Sequence, residues 1–192
     1  MITPMSKVTR THGFRTRAIH AGARIDPTTH SSAPPIDMSS TFLLDADYVD
    51  RGFEAEGQGG NDAPFIYARW GNPTARMLEA RVASLENTED ALSFASGMAA
   101  ATGLLLHLLH AGDHLVISDV SYVGVAEFVR VNLPRMGVAV TVVDSANLDE
   151  LAAAIRPNTR LVYIETPANP ILKLTDIAAA AGIAHAAGTV LA

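Results

Sequence analysis

The run HLVISDVSYVGVAEFVRVNLPRMGVAVTVV, residues 114–143, decides the fold. It opens with five residues, 114–118, in which Leu115, Val116 and Ile117 form a continuous apolar stretch. Asp119 and Ser121 break that stretch. Residues 122–135 then follow a helical spacing until Gly137 stops them, and the β-branched run 138–143 begins. Apolar strand, helix and second apolar strand in this order make a βαβ unit, whose strands lie parallel and are covered on both faces.

The alternation continues outward from this unit. Downstream, Asn147 or Asp149 is suited to cap a helix reaching residue 155, and a strand is expected over 160–165. A helix over 176–187 stops at Gly188, and 189–192 starts another apolar strand. Upstream, Asn72-Pro73-Thr74 opens a helix to residue 87, with Leu78, Val82 and Leu85 as its apolar stripe. A strand over 91–95 and an Ala/Leu-rich helix over 98–110 follow. The class is α/β, and the last strand has no turn after it. The sequence is therefore expected to be the first part of a larger domain.

Residues 1–60 differ. Pro4, Pro27, Pro34 and Pro35 interrupt them, no period persists, and they end in a loose Gly-rich run, 52–60. This segment reads as an extended N-terminal arm followed by a mobile loop, either functional or packed against a partner chain, with 61–192 as the α/β domain.

Composition narrows the function. The chain of 192 residues has 20 acidic and 14 basic side chains, a balance unsuited to nucleic acid as main partner. There is no cysteine, which removes disulfides, thiolate metal sites and cysteine nucleophiles. The longest apolar stretch, 98–109, is too short to cross a bilayer, and the N-terminus lacks a signal-peptide core. A soluble, cytoplasmic protein without membrane or nucleic-acid partners is expected. Only two residues are lysine, Lys7 and Lys173, against 12 arginines.

In parallel sheets, ligands collect beyond the carboxyl ends of the strands. Ser96-Gly97-Met98-Ala99 follows one strand and opens a helix, so its free amides suit a phosphate. Tyr122 lies near the next helix start, suited to stacking on a flat ring or to proton transfer. Glu165-Thr166-Pro167-Ala168-Asn169-Pro170 is a Pro-fixed loop in which Asn169 offers an amide. Tyr67 and Arg69, in Tyr67-Ala68-Arg69-Trp70-Gly71-Asn72-Pro73-Thr74, make a phosphate clamp. Each segment alone is equally an ordinary turn or surface. His107, His110 and His114 straddle a helix end and a strand start without a metal-ligand pattern. Lys173 reads as a solvated surface lysine.

Together, Tyr67-x-Arg69-x-x-Asn72-Pro73-Thr74, Ser96-Gly97-Met98-Ala99, Tyr122 and Glu165-Thr166-Pro167-x-Asn169-Pro170 resemble the pyridoxal-phosphate enzymes of cysteine and methionine metabolism. These include cystathionine γ-synthase, cystathionine lyases, methionine γ-lyase and O-acyl-homoserine sulfhydrylases. The resemblance runs from Thr16-Arg17-Ala18-Ile19-His20-Ala21-Gly22 to the last residue. It implies the first part of the large cofactor domain of a fold-type I, aminotransferase-like enzyme.

It implies further that Ser96, Gly97 and Met98 hold the cofactor phosphate, that Tyr67 and Arg69 reach it from a neighbouring subunit, that Tyr122 stacks on the ring and assists catalysis, and that Asn169 bonds the ring hydroxyl oxygen. The active unit is then a dimer, usually within a homotetramer. The implied reaction is elimination or replacement at Cβ or Cγ of cystathionine, methionine or an O-acyl-homoserine, by a lyase or transferase of trans-sulfuration.

The chain departs from the family at Tyr122-Val123-Gly124, where Tyr-Gly-Gly or Tyr-Gly-Cys is common. The missing Cys argues against methionine γ-lyase. The family's ring-nitrogen aspartate and its Schiff-base lysine are expected beyond Ala192, so the 192 residues alone are expected to be inactive. The alternative is a non-catalytic fragment acting only as a subunit-interaction module. A Rossmann-like nucleotide binder would need a Gly fingerprint that is absent.

Overall fold

The computed structural model describes residues 11–44 and 65–192. Lys7 and the Gly-rich run 52–60 lie outside the described residues. Two compact units are present, one ending at Ser93 and one running Phe94–Ala192.

In the first unit, α1 spans Phe14–His20 and α2 spans Pro73–Glu86. The sequence predicts no helix in the arm, and α1 corrects that. Seven residues are too few to show a period, and α1 is held from outside. Arg17 is buried, and its Nη1 donates to Asn87 Oδ1 at 2.9 Å and to the Ser84 carbonyl. Both acceptors lie at the carboxyl end of α2, where the helix dipole favours a cation. Gly22 follows at φ 72°, so close to α2 that a Cβ would stand 2.7 Å from the Met77 carbonyl oxygen.

This docking also changes which face of α2 is buried. The expected stripe is not the covered one: Leu78 and Val82 are exposed, while Met77 and Ala83 are buried. The start of α2 does follow the sequence. Asn72 caps it, accepting from Thr74 N at 2.8 Å, and Pro73 is the first helical residue.

The strand expected over 91–95 does not form among the described residues. Strand geometry needs a neighbouring strand. Here Ala91 N donates to Asp90 Oδ1 and Ser93 N to Glu79 Oε1, at 2.8 and 2.9 Å, and Leu92 is 76% exposed.

The second unit is a parallel sheet of four strands: β1 His114–Ser118, β2 Ala139–Val143, β3 Thr159–Tyr163 and β4 Val190–Leu191, in the order β2-β1-β3-β4. Helices α3 Gly97–Leu108, α4 Val123–Arg135, α5 Leu148–Ala154 and α6 Ile177–Ala186 alternate with the strands. Strand side chains alternate between faces. Leu115, Ile117 and Leu161 therefore pack with Leu105 and Leu109 of the α3 segment and Val125, Val129 and Leu133 of α4. Val116 and Val162 go to the other face, with Leu151 of α5 and Ala180 and Ala184 of α6. Each fully buried Leu or Val contributes roughly 1.5–3 kcal/mol, so the two cores fix the sheet. Among the described residues no helix is long and apolar enough to cross a membrane.

Candidate active site

The strand order creates a crevice. From β1 the chain leaves over one face through α4 to β2; from β3 it leaves over the opposite face through α6 to β4. Neighbouring strands whose connections part to opposite faces leave a gap at their carboxyl ends, where α/β sheets receive ligands. The turn after β1 carries Tyr122, and the loop after β3 carries Asn169. Glu165 closes the two together: its Oε2 accepts from Tyr122 N at 2.8 Å. Tyr122 is the N-cap of α4 and has no capping side chain of its own, so Glu165 takes that role from across the crevice. In the sequence, nothing but its place after a strand marks Glu165 for this role. Burial first, and then the Glu165 carboxylate, push the Tyr163 phenol above its ordinary range.

The head of α3 opens nearby. Ser96 caps it, its Oγ accepting from Ala99 N at 3.1 Å. The amides of Gly97 and Met98 have no partner among the described residues, and the space where a Gly97 side chain would stand is empty to 4 Å. Gly124 shows what joins α3 to α4. A Cβ there would lie 2.8 Å from Tyr122 Cε1 and 3.0 Å from Met98 Sδ. The Tyr122 ring and the Met98 thioether thus converge on a glycine that only lacks a side chain. The ring remains 49% exposed.

The loop after β3 is held by its own hydrogen bonds. Thr175 N donates to Thr166 Oγ1 at 3.1 Å, and Ala168 N to the Lys173 carbonyl at 2.9 Å, so the loop is closed across its stem with Asn169 exposed at the tip. A buried hydroxyl chain, Ser118–Ser145–Thr175, ties its foot to the ends of β1 and β2, with oxygen separations of 3.0 and 2.7 Å.

Lys173 corrects the sequence reading. Its side chain is only 18% exposed, and Nζ donates to both Asp119 oxygens at 2.9 and 2.8 Å and to Asp144 Oδ1 at 2.8 Å. The hydrogen bonds it donates to Asp119 first, then to Asp144, hold its ammonium above the usual lysine range; Lys173 in turn lowers Asp144. The only signal in the sequence was an acidic residue just after each of two strands. Nothing there told which basic group would meet them.

In the first unit, Tyr67 and Arg69 come together. Tyr67 bridges antiparallel to Thr41, and the Arg69 guanidinium stands 5.0 Å from the Tyr67 ring centroid. Trp70 meets the same ring edge-on at 5.9 Å. Arg69 is exposed. His114 lies elsewhere, fully buried at the start of β1, its ring nitrogens 2.8 Å from the Thr159 and Thr141 hydroxyls.

A doubly covered parallel sheet with its crevice at this switch point is the α/β architecture of fold-type I pyridoxal-phosphate enzymes. Two solved structures share it: metB from Corynebacterium glutamicum, with TM-score 0.82 and 37% identity, and cystathionine gamma-lyase from Lactobacillus plantarum complexed with L-serine, with TM-score 0.78 and 36% identity. This chain is covered to 94% in both matches, and each of those chains to 44%.

The family model for Cys/Met metabolism PLP-dependent enzymes matches residues 15–192, and the chain belongs to that family. Among curated relatives, L-methionine gamma-lyase of Porphyromonas gingivalis is 45% identical over 90% of this chain and 42% of its own length. Cystathionine gamma-synthase of Mycobacterium tuberculosis is 45% identical over 88% of this chain and 41% of its own. The chain thus spans less than half the length of the relatives it matches. Equal identities do not separate lyase from synthase, so the argument drawn from the missing Cys gains no support.

Proposed function

We propose that the protein carrying this chain is a pyridoxal-phosphate enzyme that eliminates or replaces a substituent at Cβ or Cγ of a sulfur amino acid such as cystathionine, methionine or an O-acyl-homoserine. It works in the cytoplasm as a homodimer or homotetramer. The observation that carries this reading is the open head of α3 beside the Tyr122 ring, at the switch point of the sheet. Two amides without partners among the described residues and empty space in front of Gly97 suit a phosphate, since a helix N-terminus favours an anion. The fit to the family's cofactor is thus good.

The roles follow from chemistry. Ser96 fixes the first turn of α3, and the Gly97 and Met98 amides donate to the phosphate. Tyr122 lays its ring against that of the cofactor, and its phenolic oxygen carries a proton to or from the substrate. The Asn169 amide donates to the ring hydroxyl oxygen. Arg69, with Tyr67 beside it, supplies a permanent positive charge to the phosphate held by a neighbouring subunit. The arm, residues 1–60, contributes subunit contacts, and 61–192 the cofactor domain. Pyridoxal phosphate, when bound, supplies an electron sink for the substrate carbanion.

The test is turnover by the intact protein: of cystathionine and methionine, following 2-oxo acid and thiol release, and of an O-acyl-homoserine with a thiol co-substrate, following release of the acyl carboxylate. Cofactor-dependent turnover of at least one is expected. Bound cofactor without turnover of any would refute the reaction class.

A further inference from the structure

We propose that Lys173 is a positioning residue: by holding Asp119 and Asp144 it latches the Asn169 loop onto the turn that carries Tyr122. The proposal rests on the reading of Asn169 and Tyr122 as cofactor-binding residues.

Three loops end at the carboxyl edge of the sheet, after β1, β2 and β3. Asp119 directly follows β1 and Asp144 directly follows β2, while Lys173 stands in the loop after β3. One ammonium therefore ties all three. It does so through three hydrogen bonds of 2.8–2.9 Å, which use every proton that a lysine carries. An idle lysine would leave its charge in water, because fixing its long side chain costs rotamer entropy. This one is drawn in and fully committed.

The latch reaches the site in two directions. Asp119 lies three residues before Tyr122. On the other side, the Lys173 carbonyl accepts from Ala168 N, so Asn169 is flanked by the bridge that Lys173 makes. The other fastenings of the loop act at its foot, through Thr175 to Ser145, and at its entry, through Glu165 to Tyr122 N. Lys173 alone, among the described residues, ties the returning arm of the loop to the β1 turn. Without it, two carboxylates that share one cation face each other uncompensated and the turns move apart.

The test is cofactor affinity in the intact protein, titrated with pyridoxal phosphate by absorbance and fluorescence, for wild type, Lys173→Met, Lys173→Arg, Asn169→Ala and the double variant Lys173→Met/Asn169→Ala. Lys173→Met is expected to weaken binding about tenfold, the loss of one hydrogen bond to a charged ligand, with a shifted cofactor spectrum. Lys173→Arg should regain most of it. The double variant should bind more weakly than Asn169→Ala by less than the factor that Lys173→Met costs alone, because a latch acts in part through the Asn169 loop it holds.

Wild-type affinity in Lys173→Met, or losses that multiply in the double variant, would overturn the proposal. Should Lys173→Met fail to fold, Asp144→Asn leaves the ammonium on Asp119 and is expected to give a smaller loss with the same non-additivity. Additive losses there overturn it equally. If Asn169→Ala itself leaves affinity unchanged, the reading of Asn169 falls, and the latch falls with it for that separate reason.

Discussion

Replacing Gly124 by alanine should leave stability unchanged or raised while it lowers cofactor binding. Gly124 is the second residue of α4, and helical glycine costs about 0.5–1 kcal/mol relative to alanine. By propensity alone, Gly124→Ala stabilises. The new methyl, however, would sit 2.8 Å from Tyr122 Cε1 and 3.0 Å from Met98 Sδ. Both are ends of movable side chains, and the half-exposed tyrosine ring swings away at small cost. Its removal from the crevice forfeits about 0.5–1.5 kcal/mol of ring stacking, roughly two- to tenfold in cofactor affinity. Turnover falls further if the phenol no longer reaches the reacting proton. The assay pairs a thermal melt of the intact apo-protein with a pyridoxal-phosphate titration. An apo melting temperature unchanged or up by a few degrees, with weaker cofactor binding, is expected. Unchanged affinity with the same melt would show that the ring does not need the space above Gly124.

Other outcomes follow from single side chains. Tyr122→Phe should retain cofactor affinity but slow turnover by about 10²–10⁴-fold, read in steady-state kinetics; an unchanged rate leaves the ring as a stacking group only. Arg69→Ala should weaken cofactor retention by about 1.5–3 kcal/mol, and mixing it with a subunit defective elsewhere in the site should regain activity in hybrid dimers. Hybrids that stay inactive would remove the cross-subunit role. Burial, and then the positive charge of Arg156, hold His114 below the ordinary imidazole value. The unfolded chain therefore takes up a proton near pH 6.5 that the native one refuses, and stability should fall as pH drops below that value, by at most about 1.4 kcal/mol per pH unit. Urea titrations of wild type and His114→Gln across pH 5–7 read this slope, which the variant should lack. Borohydride reduction with pyridoxal phosphate should leave no stoichiometric adduct on Lys173, whose ammonium is held charged by two carboxylates.

The sheet was legible because each of β1, β2 and β3 is a five-residue element inside an apolar run, and runs of that length between helices have few other readings. Residues 91–95 have the same look and no strand beside them, so composition alone misread them. Helix α1 was hidden for the opposite reason: a buried arginine and a glycine pressed against α2 make it, and neither carries a period. The loops held the chemistry in part. Tyr122 and Asn169 stood out by position after strands, and Ser96 and Gly97 by opening a helix. Lys173 did not, since its partners lie about 30 and 50 residues away and meet it only after the sheet has formed.

The strand order also sets a sequence of events. Among the described residues β1 is the first strand made, and it ends inside the sheet, paired on one edge with β2 and on the other with β3. During synthesis its second edge stays open until β3 has emerged, after α4 and β2 have covered the first. An apolar strand with a free edge templates pairing with any extended chain. In the nascent protein, the interval between β2 and β3 is thus a window in which β1 is exposed to aggregation. The short α5 between them, begun by Asn147, keeps that window brief.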